Sequence, residues 1–117
     1  MNQQTPVISL AKRRLSGNEP VHFNKNELFQ ILNIYGKMVS AGIWRDYCFE
    51  EGAKSISFNV FKRSSDQPLY RIQKTPLLAN KQGAFAIESR GGMIIKRGHN
   101  LDALLGYFHK KLYKIVD

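Results

Sequence analysis

The stretch from Pro68 to Leu105, PLYRIQKTPLLANKQGAFAIESRGGMIIKRGHNLDALL, constrains the fold more than any other part of the chain, because three strand-like pieces are closed by turns and delivered into a helix. From Leu69 to Lys74, Tyr70 and Ile72 alternate with Arg71 and Gln73, the period of two that sends one set of side chains to a core and the other to water. Pro68 suits a strand start, where its missing N–H is tolerated. The loop from Thr75 to Gly83 carries Leu77, Leu78 and Ala79, enough for one helical turn. Ala84 to Ser89 puts Phe85 and Ile87 on one face, and Arg90-Gly91-Gly92 turns the chain into Met93 to Arg97 as a hairpin. Gly98 breaks that strand. Asn100 is placed to cap a last helix, with Asp102 in a first turn that favours negative charge. Leu101, Leu104, Leu105, Phe108, Leu112 and Ile115 form its apolar stripe, and Lys110, Lys111 and Lys114 lie near its end.

Upstream, Asn24 stands three residues before Glu27, the spacing of a capping box, so a helix is expected from there. Leu28, Ile31, Leu32, Tyr35, Met38 and Val39 recur at three- and four-residue steps. Phe29 and Ile34 widen that stripe, Gln30, Asn33 and Lys37 mark the wet side, and Gly36 admits a close neighbour. Ala41-Gly42 ends the helix. Ile43 to Phe49 reads as a strand with Ile43, Arg45, Tyr47 and Phe49 on one face and Trp44, Asp46 and Cys48 on the other. After the turn Glu50-Glu51-Gly52, Ser55 to Phe61 sets Ile56, Phe58 and Val60 in the core against Ser57 and Asn59 in water. Ser64-Ser65-Asp66-Gln67 is a further turn.

The order is helix, about five strands, helix, and sequential hairpins favour an antiparallel meander. The expected fold class is α+β, in two layers, with two amphipathic helices packed on one face of the sheet and the other face open. With 117 residues and 43% apolar content, one domain at residues 21–117 can hold its own core. Residues 1–20, with Lys12, Arg13 and Arg14 and no sustained period, read as a flexible basic arm. That charge follows the short apolar patch near the N-terminus, the reverse of a signal peptide's order. No run approaches the roughly eighteen apolar residues of a membrane span. Cys48 is the sole cysteine, which suits a reducing interior, so a cytoplasmic location without membrane contact is expected.

Net charge is +9, which favours an anionic partner. Nine lysine and arginine residues lie between Ala53 and Gly98 against Asp66 and Glu88, so the basic character belongs mainly to the sheet. If Ile56, Ile72, Ile87 and Ile95 face the helices, then Asn59, Arg71, Gln73 and Lys96 fall on the open face with Phe61, Leu69 and Ile94. Cations, amides and apolar groups on a strand platform can hold phosphates and bases. The candidate contact residues are Lys62, Arg63, Arg71, Lys74, Arg90, Lys96, Arg97 and His99. Lys96-Arg97-Gly98-His99-Asn100 is the most suggestive cluster, since two cations and an imidazole meet the N–H groups of a helix start. The expected function is a non-enzymatic module for an anionic partner, nucleic acid first, with DNA and RNA undistinguished. The alternative is a protein–protein adaptor or small homodimer that buries the open face or a sheet edge.

No cofactor, metal or catalytic residue is expected. His22, His99 and His109 come from a loop, a turn and a helix, without the spacing of a metal site. Cys48 in a strand reads as a filler rather than a nucleophile. Gly91-Gly92 lies in neither a Walker pattern nor a dinucleotide fingerprint.

The phrases NELFQILNIYGKMVSAGIWRDY, FNVFKRSSDQPLYRIQK and GGMIIKRGHNLDALL resemble a small uncharacterised family of short basic proteins, found mainly in alphaproteobacteria and filed as a domain of unknown function. The resemblance covers roughly His22 to Asp117. It implies a bacterial cytoplasmic protein of one domain and brings no activity, cofactor or catalytic residue.

Overall fold

The computed structural model describes residues 19–63 and 67–116. Most of the expected arm, the middle of the turn after Arg63 and the Ile115 side chain lie outside the described residues.

Asn24 and Glu27 start the first helix by satisfying each other's backbone. Asn24 Oδ1 accepts from the Glu27 N–H at 2.8 Å, and Glu27 Oε1 accepts from the Asn24 N–H at 2.8 Å. Helix α1 then runs Lys25–Ser40. It closes at Ala41 and Gly42, whose φ of 76° is the left-handed conformation that glycine adopts without penalty, and the Ile43 N–H bonds back to Met38 O at 2.9 Å. The buried line is Ile31, Ile34 and Met38. This corrects the wide stripe expected from spacing: Phe29 is 73% exposed, and Leu32 and Val39 also face out. Among the described residues α1 has neighbours on one side only, as a two-layer fold requires. Gly36 lies on the free side, and no atom lies within 4 Å of where its Cβ would be, so no close neighbour requires it.

The chain spends Ile43, Trp44 and Arg45 turning out of α1, and strand β1 begins only at Asp46 (Asp46–Glu51). Trp44 is therefore not on the face of Asp46 and Cys48, as alternation suggests. It is buried, with its ring edge-on to Phe108 at 4.9 Å. Strands β2 (Ile56–Phe61), β3 (Tyr70–Lys74), β4 (Phe85–Ser89) and β5 (Ile94–Gly98) complete an antiparallel sheet in the order β1-β2-β3-β4-β5. The turn of 3₁₀ helix at Pro76–Leu78 bridges β3 and β4. Helix α2 is Leu101–Val116, started by Asn100, whose Oδ1 accepts from the Ala103 N–H at 3.0 Å.

Register decides what each face carries. Phe49, Phe58, Ile72 and Ile87 lie directly across from one another, and that row meets the helices. Its inner three residues, Phe58, Ile72 and Ile87, form one continuous core with Ile31, Ile34, Met38, Trp44, Val60, Phe85, Leu101, Leu104, Leu105 and Phe108, while Phe49 stays half exposed at the sheet edge. The next row, Cys48, Asn59, Arg71 and Glu88, points the other way. Over the described residues the fold is thus α+β, two helices and a five-stranded antiparallel sheet. Among the described residues no helix is long and apolar enough to cross a membrane.

Gly83 holds the loop before β4 against the end of β5. Its φ is 102°, and an added Cβ would stand 2.4 Å from the Gly98 carbonyl. Gly91, φ 92°, has the same backbone constraint with open space around it. Gly91→Ala is expected to lower the unfolding free energy by about 1 kcal/mol, and Gly83→Ala by about 3 kcal/mol, because it adds a clash with backbone. Urea denaturation separates the two; equal losses would show that the Gly83–Gly98 approach is not structurally required.

Candidate functional site

The eight candidate residues are not gathered on one face. They divide among the centre of the sheet and its two ends.

At the centre, Arg71 occupies the middle of the open face, as alternation predicts, but it is already partnered. Its Nε donates to Glu50 Oε1 at 3.2 Å, and Nη1 lies 3.9 Å from Glu88 Oε2. The same Glu50 oxygen accepts from Asn59 Nδ2 at 2.9 Å, while Ser57 Oγ donates to Asn59 Oδ1 at 2.7 Å. Gln73 Nε2 donates to Glu88 Oε1. Under this network Ser57 and Asn59 are only 6% and 3% exposed, so the expectation of a wet face at β2 fails. A buried polar side chain is tolerable where its hydrogen bonds are made, and here the neighbours make them. A shallow cavity of about 250 Å³ lies here, lined by Glu50, Glu51, Arg71, Gln73 and Glu88 among others, so carboxylates outnumber cations. The middle of the open face repels a phosphate rather than attracting one.

At one end of the sheet, where β2 and β4 finish, stand Lys62, Arg63 and Arg90, all exposed. Lys62 Nζ donates to Gly42 O at 2.9 Å, a cation on the carbonyl end of α1, and Arg90 Nη2 reaches Gln67 O at 3.4 Å. At the opposite end Lys74 is spoken for, its Nζ donating to Glu27 Oε1 at 2.7 Å and His22 O at 2.9 Å.

Lys96, Arg97 and His99 are brought together. With Gly98, Asn100, Ala103 and Leu104 they line a cavity of about 350 Å³ where β5 passes into α2. Arg97 Nη1 donates to Gly83 O at 3.2 Å, and none of the three is within ion-pair distance of a carboxylate among the described residues. Lys96 is not on the open face, as expected from strict alternation. The register slips between Ile87 and Glu88, so that Glu88 faces Ile94 while Ile87 faces Lys96, and Ile95 is the extra residue. One inserted residue exchanges the faces of those that follow.

Sequence reasoning missed Glu50 and Glu88 as the partners of Arg71. Their signal is the register itself, which sets Glu88 directly across from Arg71. Two tyrosines are shifted without joining a site. Burial, with Asp46 and Tyr47 adding to it, raises Tyr35, whose hydroxyl donates to Arg45 O at 2.9 Å. Burial, with Tyr107 adding and Lys111 opposing, raises Tyr70. Among the described residues no three His, Cys, Asp or Glu side chains converge to hold a metal ion.

A family model described as a protein of unknown function (DUF2794) matches residues 21–105, the whole sheet and both helix starts. No curated protein and no solved structure matches the chain.

Glu50 is more acidic than an ordinary glutamate, first because Asn59 and then because Arg71 hydrogen-bonds its carboxylate, with partial burial opposing. A carboxyl whose folded pKa is depressed stabilises the fold above its unfolded value, and that contribution is lost as pH falls through the folded one. Its side chain is 56% exposed, so solvent screening holds the effect below about 1 kcal/mol. Wild-type stability is therefore expected to fall more steeply between roughly pH 5 and pH 3 than that of Glu50→Gln. Parallel acid limbs in urea titrations would discard the linkage.

Proposed function

We propose, for a chain that belongs to this family of proteins of unknown function (DUF2794), a non-catalytic module that binds an anionic partner, nucleic acid in particular, along the flank made by β5 and α2 rather than across the open sheet face. One observation carries the reading: charge is segregated across the sheet. From Ile94 onward the described residues hold Lys96, Arg97, Lys110, Lys111 and Lys114 against Asp102 alone, whereas β1 holds Asp46, Glu50 and Glu51. The three lysines of α2 are exposed. They lie about 16 Å along the helix from the Lys96–His99 cavity, at 1.5 Å per residue. Cations at both ends of such a span suit a polymer with repeating phosphates better than a single small anion. Phosphate contacts fix affinity without reading sequence, and Tyr113, exposed on α2, is the aromatic ring of that helix placed to stack on a base. A bacterial cytoplasmic setting accords with the single thiol of Cys48.

A second reading, a homodimer, is favoured by the free side of the helices. A groove of about 690 Å³ between them is lined by Leu32, Gly36 and Leu112, with Phe29 and Tyr113 exposed on the same helices. A two-fold axis near Leu32 would lay each Phe29 over the partner's Gly36.

Fluorescence anisotropy with duplex DNA, single-stranded DNA and RNA at several salt concentrations tests the first reading. Lys96→Ala, Lys110→Ala and Lys114→Ala combined are expected to lower the slope of log affinity against log salt by about 2 to 3, near one for each phosphate left without its lysine, while Arg71→Ala leaves it unchanged. Wild-type binding no stronger than that of an unrelated basic protein, or a triple variant that binds normally, would overturn it. For the second, light scattering at tens of micromolar is expected to give twice the chain mass, returning to one chain in Phe29→Glu; a monomer throughout dismisses it.

A further inference from the structure

The two outer strands of the sheet are not alike. β5 carries a bulge, Lys96 and Arg97, devices that discourage another strand from adding to an edge. β1 carries none of them. Its six residues are all exposed, its register with β2 is unbroken, and it holds no lysine or proline. Among the described residues no strand lies on its outer side.

The side chains of β1 state what could lie there. On the helix side Tyr47 and Phe49 are each 47% exposed. They continue an aromatic shelf: Tyr47 stacks on Phe58 at 5.0 Å and meets Tyr35 at 5.1 Å, and Phe49 meets Phe23 at 6.3 Å. On the open side stand Asp46, Cys48 and Glu50. Neither Asp46 nor Glu51 is in an ion pair among the described residues. In a chain of net charge +9, this strand is the acidic exception.

We infer that the outer edge of β1 is a strand-addition site for an extended, basic segment of a partner protein in which lysine or arginine alternates with apolar residues. Residues directly across two paired strands share a face, so an added strand sets its cations beside Asp46 and Glu50 and its apolar side chains on Tyr47 and Phe49. Its backbone takes up the N–H and C=O groups that β1 turns outward. A second copy of β1 is disfavoured: with Cys48 opposite itself, Asp46 meets Glu50 of the other copy. The positive charge elsewhere on the protein repels a basic segment, and that repulsion confines it to this edge. This surface is separate from the β5–α2 flank, at the far side of the sheet.

The test uses the full chain and three fluorescein-labelled nine-residue peptides: lysine alternating with valine, glutamate alternating with valine, and the lysine peptide N-methylated at alternate residues. Anisotropy is expected to show the lysine peptide binding at least tenfold more tightly than the glutamate peptide, the N-methylated peptide not binding, and the preference for lysine shrinking at least threefold in Asp46→Lys, whose side chain stands on the face that receives the cations. Amide exchange on the wild-type protein is expected to slow at β1 when the lysine peptide is added. Equal binding of the lysine and glutamate peptides, full binding of the N-methylated one, or protection elsewhere than β1 overturns the inference. So does protection of β1 in the free protein that disappears on dilution, which assigns the edge to a second copy.

Discussion

Two sixteen-residue helices have enough surface to seal one face of a five-stranded sheet and not two, and the rest of the molecule follows from that shortage. The sealed face is uniformly apolar along the row through Phe58, Ile72 and Ile87, with Trp44 and Phe108 filling the space between the helices. At roughly 25 cal/mol per Å² of apolar surface removed from water, this face supplies most of the drive to fold. The unsealed face must remain compatible with water while its central strand is crowded by neighbours on both sides. The chain answers with side chains that cover one another. Glu50 joins Asn59 to Arg71, Glu88 joins Arg71 to Gln73, and Ser57 closes the row beneath them. A leucine at Asn59 would leave the covered Ser57 hydroxyl without its acceptor, and an unpaired arginine there would face a desolvation cost; the network avoids both.

That solution has an electrostatic consequence. Arg71, in the middle of the open face, is spent on internal pairing, which leaves the net positive charge of the protein to the ends of the sheet and to the β5–α2 flank. The carboxylates that neutralise Arg71 come from β1 and β4, so the β1 edge inherits an acidic character while the β5 edge remains basic. A sheet of alternating strands has almost no dipole of its own. The polarity across this one comes from side chains, and it presents two surfaces of opposite sign about four strand spacings apart, close to 20 Å.

What the residues alone make legible is whatever is local. The capping box is three residues long and its geometry is fixed by the backbone, so Asn24 and Glu27 identify the start of α1 without knowledge of anything else. The alternation of Tyr70 and Ile72 with Arg71 and Gln73 identifies a strand in the same way, and glycines at Gly42, Gly91 and Gly92 mark turns that require positive φ. Spacing does not say how many neighbours an element has. Phe29, Leu32 and Val39 fit the apolar period of α1 as well as Ile31, Ile34 and Met38, and only the absence of a third layer among the described residues separates them. Alternation misplaces Trp44 because it runs on through residues whose N–H groups are occupied in closing α1.

The candidate site depends on the least local information. Whether Arg71 is available depends on which residue lies across from it on β4, and that is set by the register of a strand pair separated by a ten-residue connection from Thr75 to Ala84. Whether Lys96 faces the helices or the open side depends on a single inserted residue at Ile95. A count of cations along the sequence treats all of them as equivalent, yet pairing removes Arg71 and Lys74 from that count, and the bulge turns Lys96 toward the side where α2 and its lysines lie. The bulge that protects the β5 edge from strand addition is therefore also what places Lys96 on the same side of the sheet as the α2 lysines. Protection of one edge and concentration of charge along its flank have the same structural cause, while the opposite edge, which lacks a bulge, keeps its backbone unpaired among the described residues.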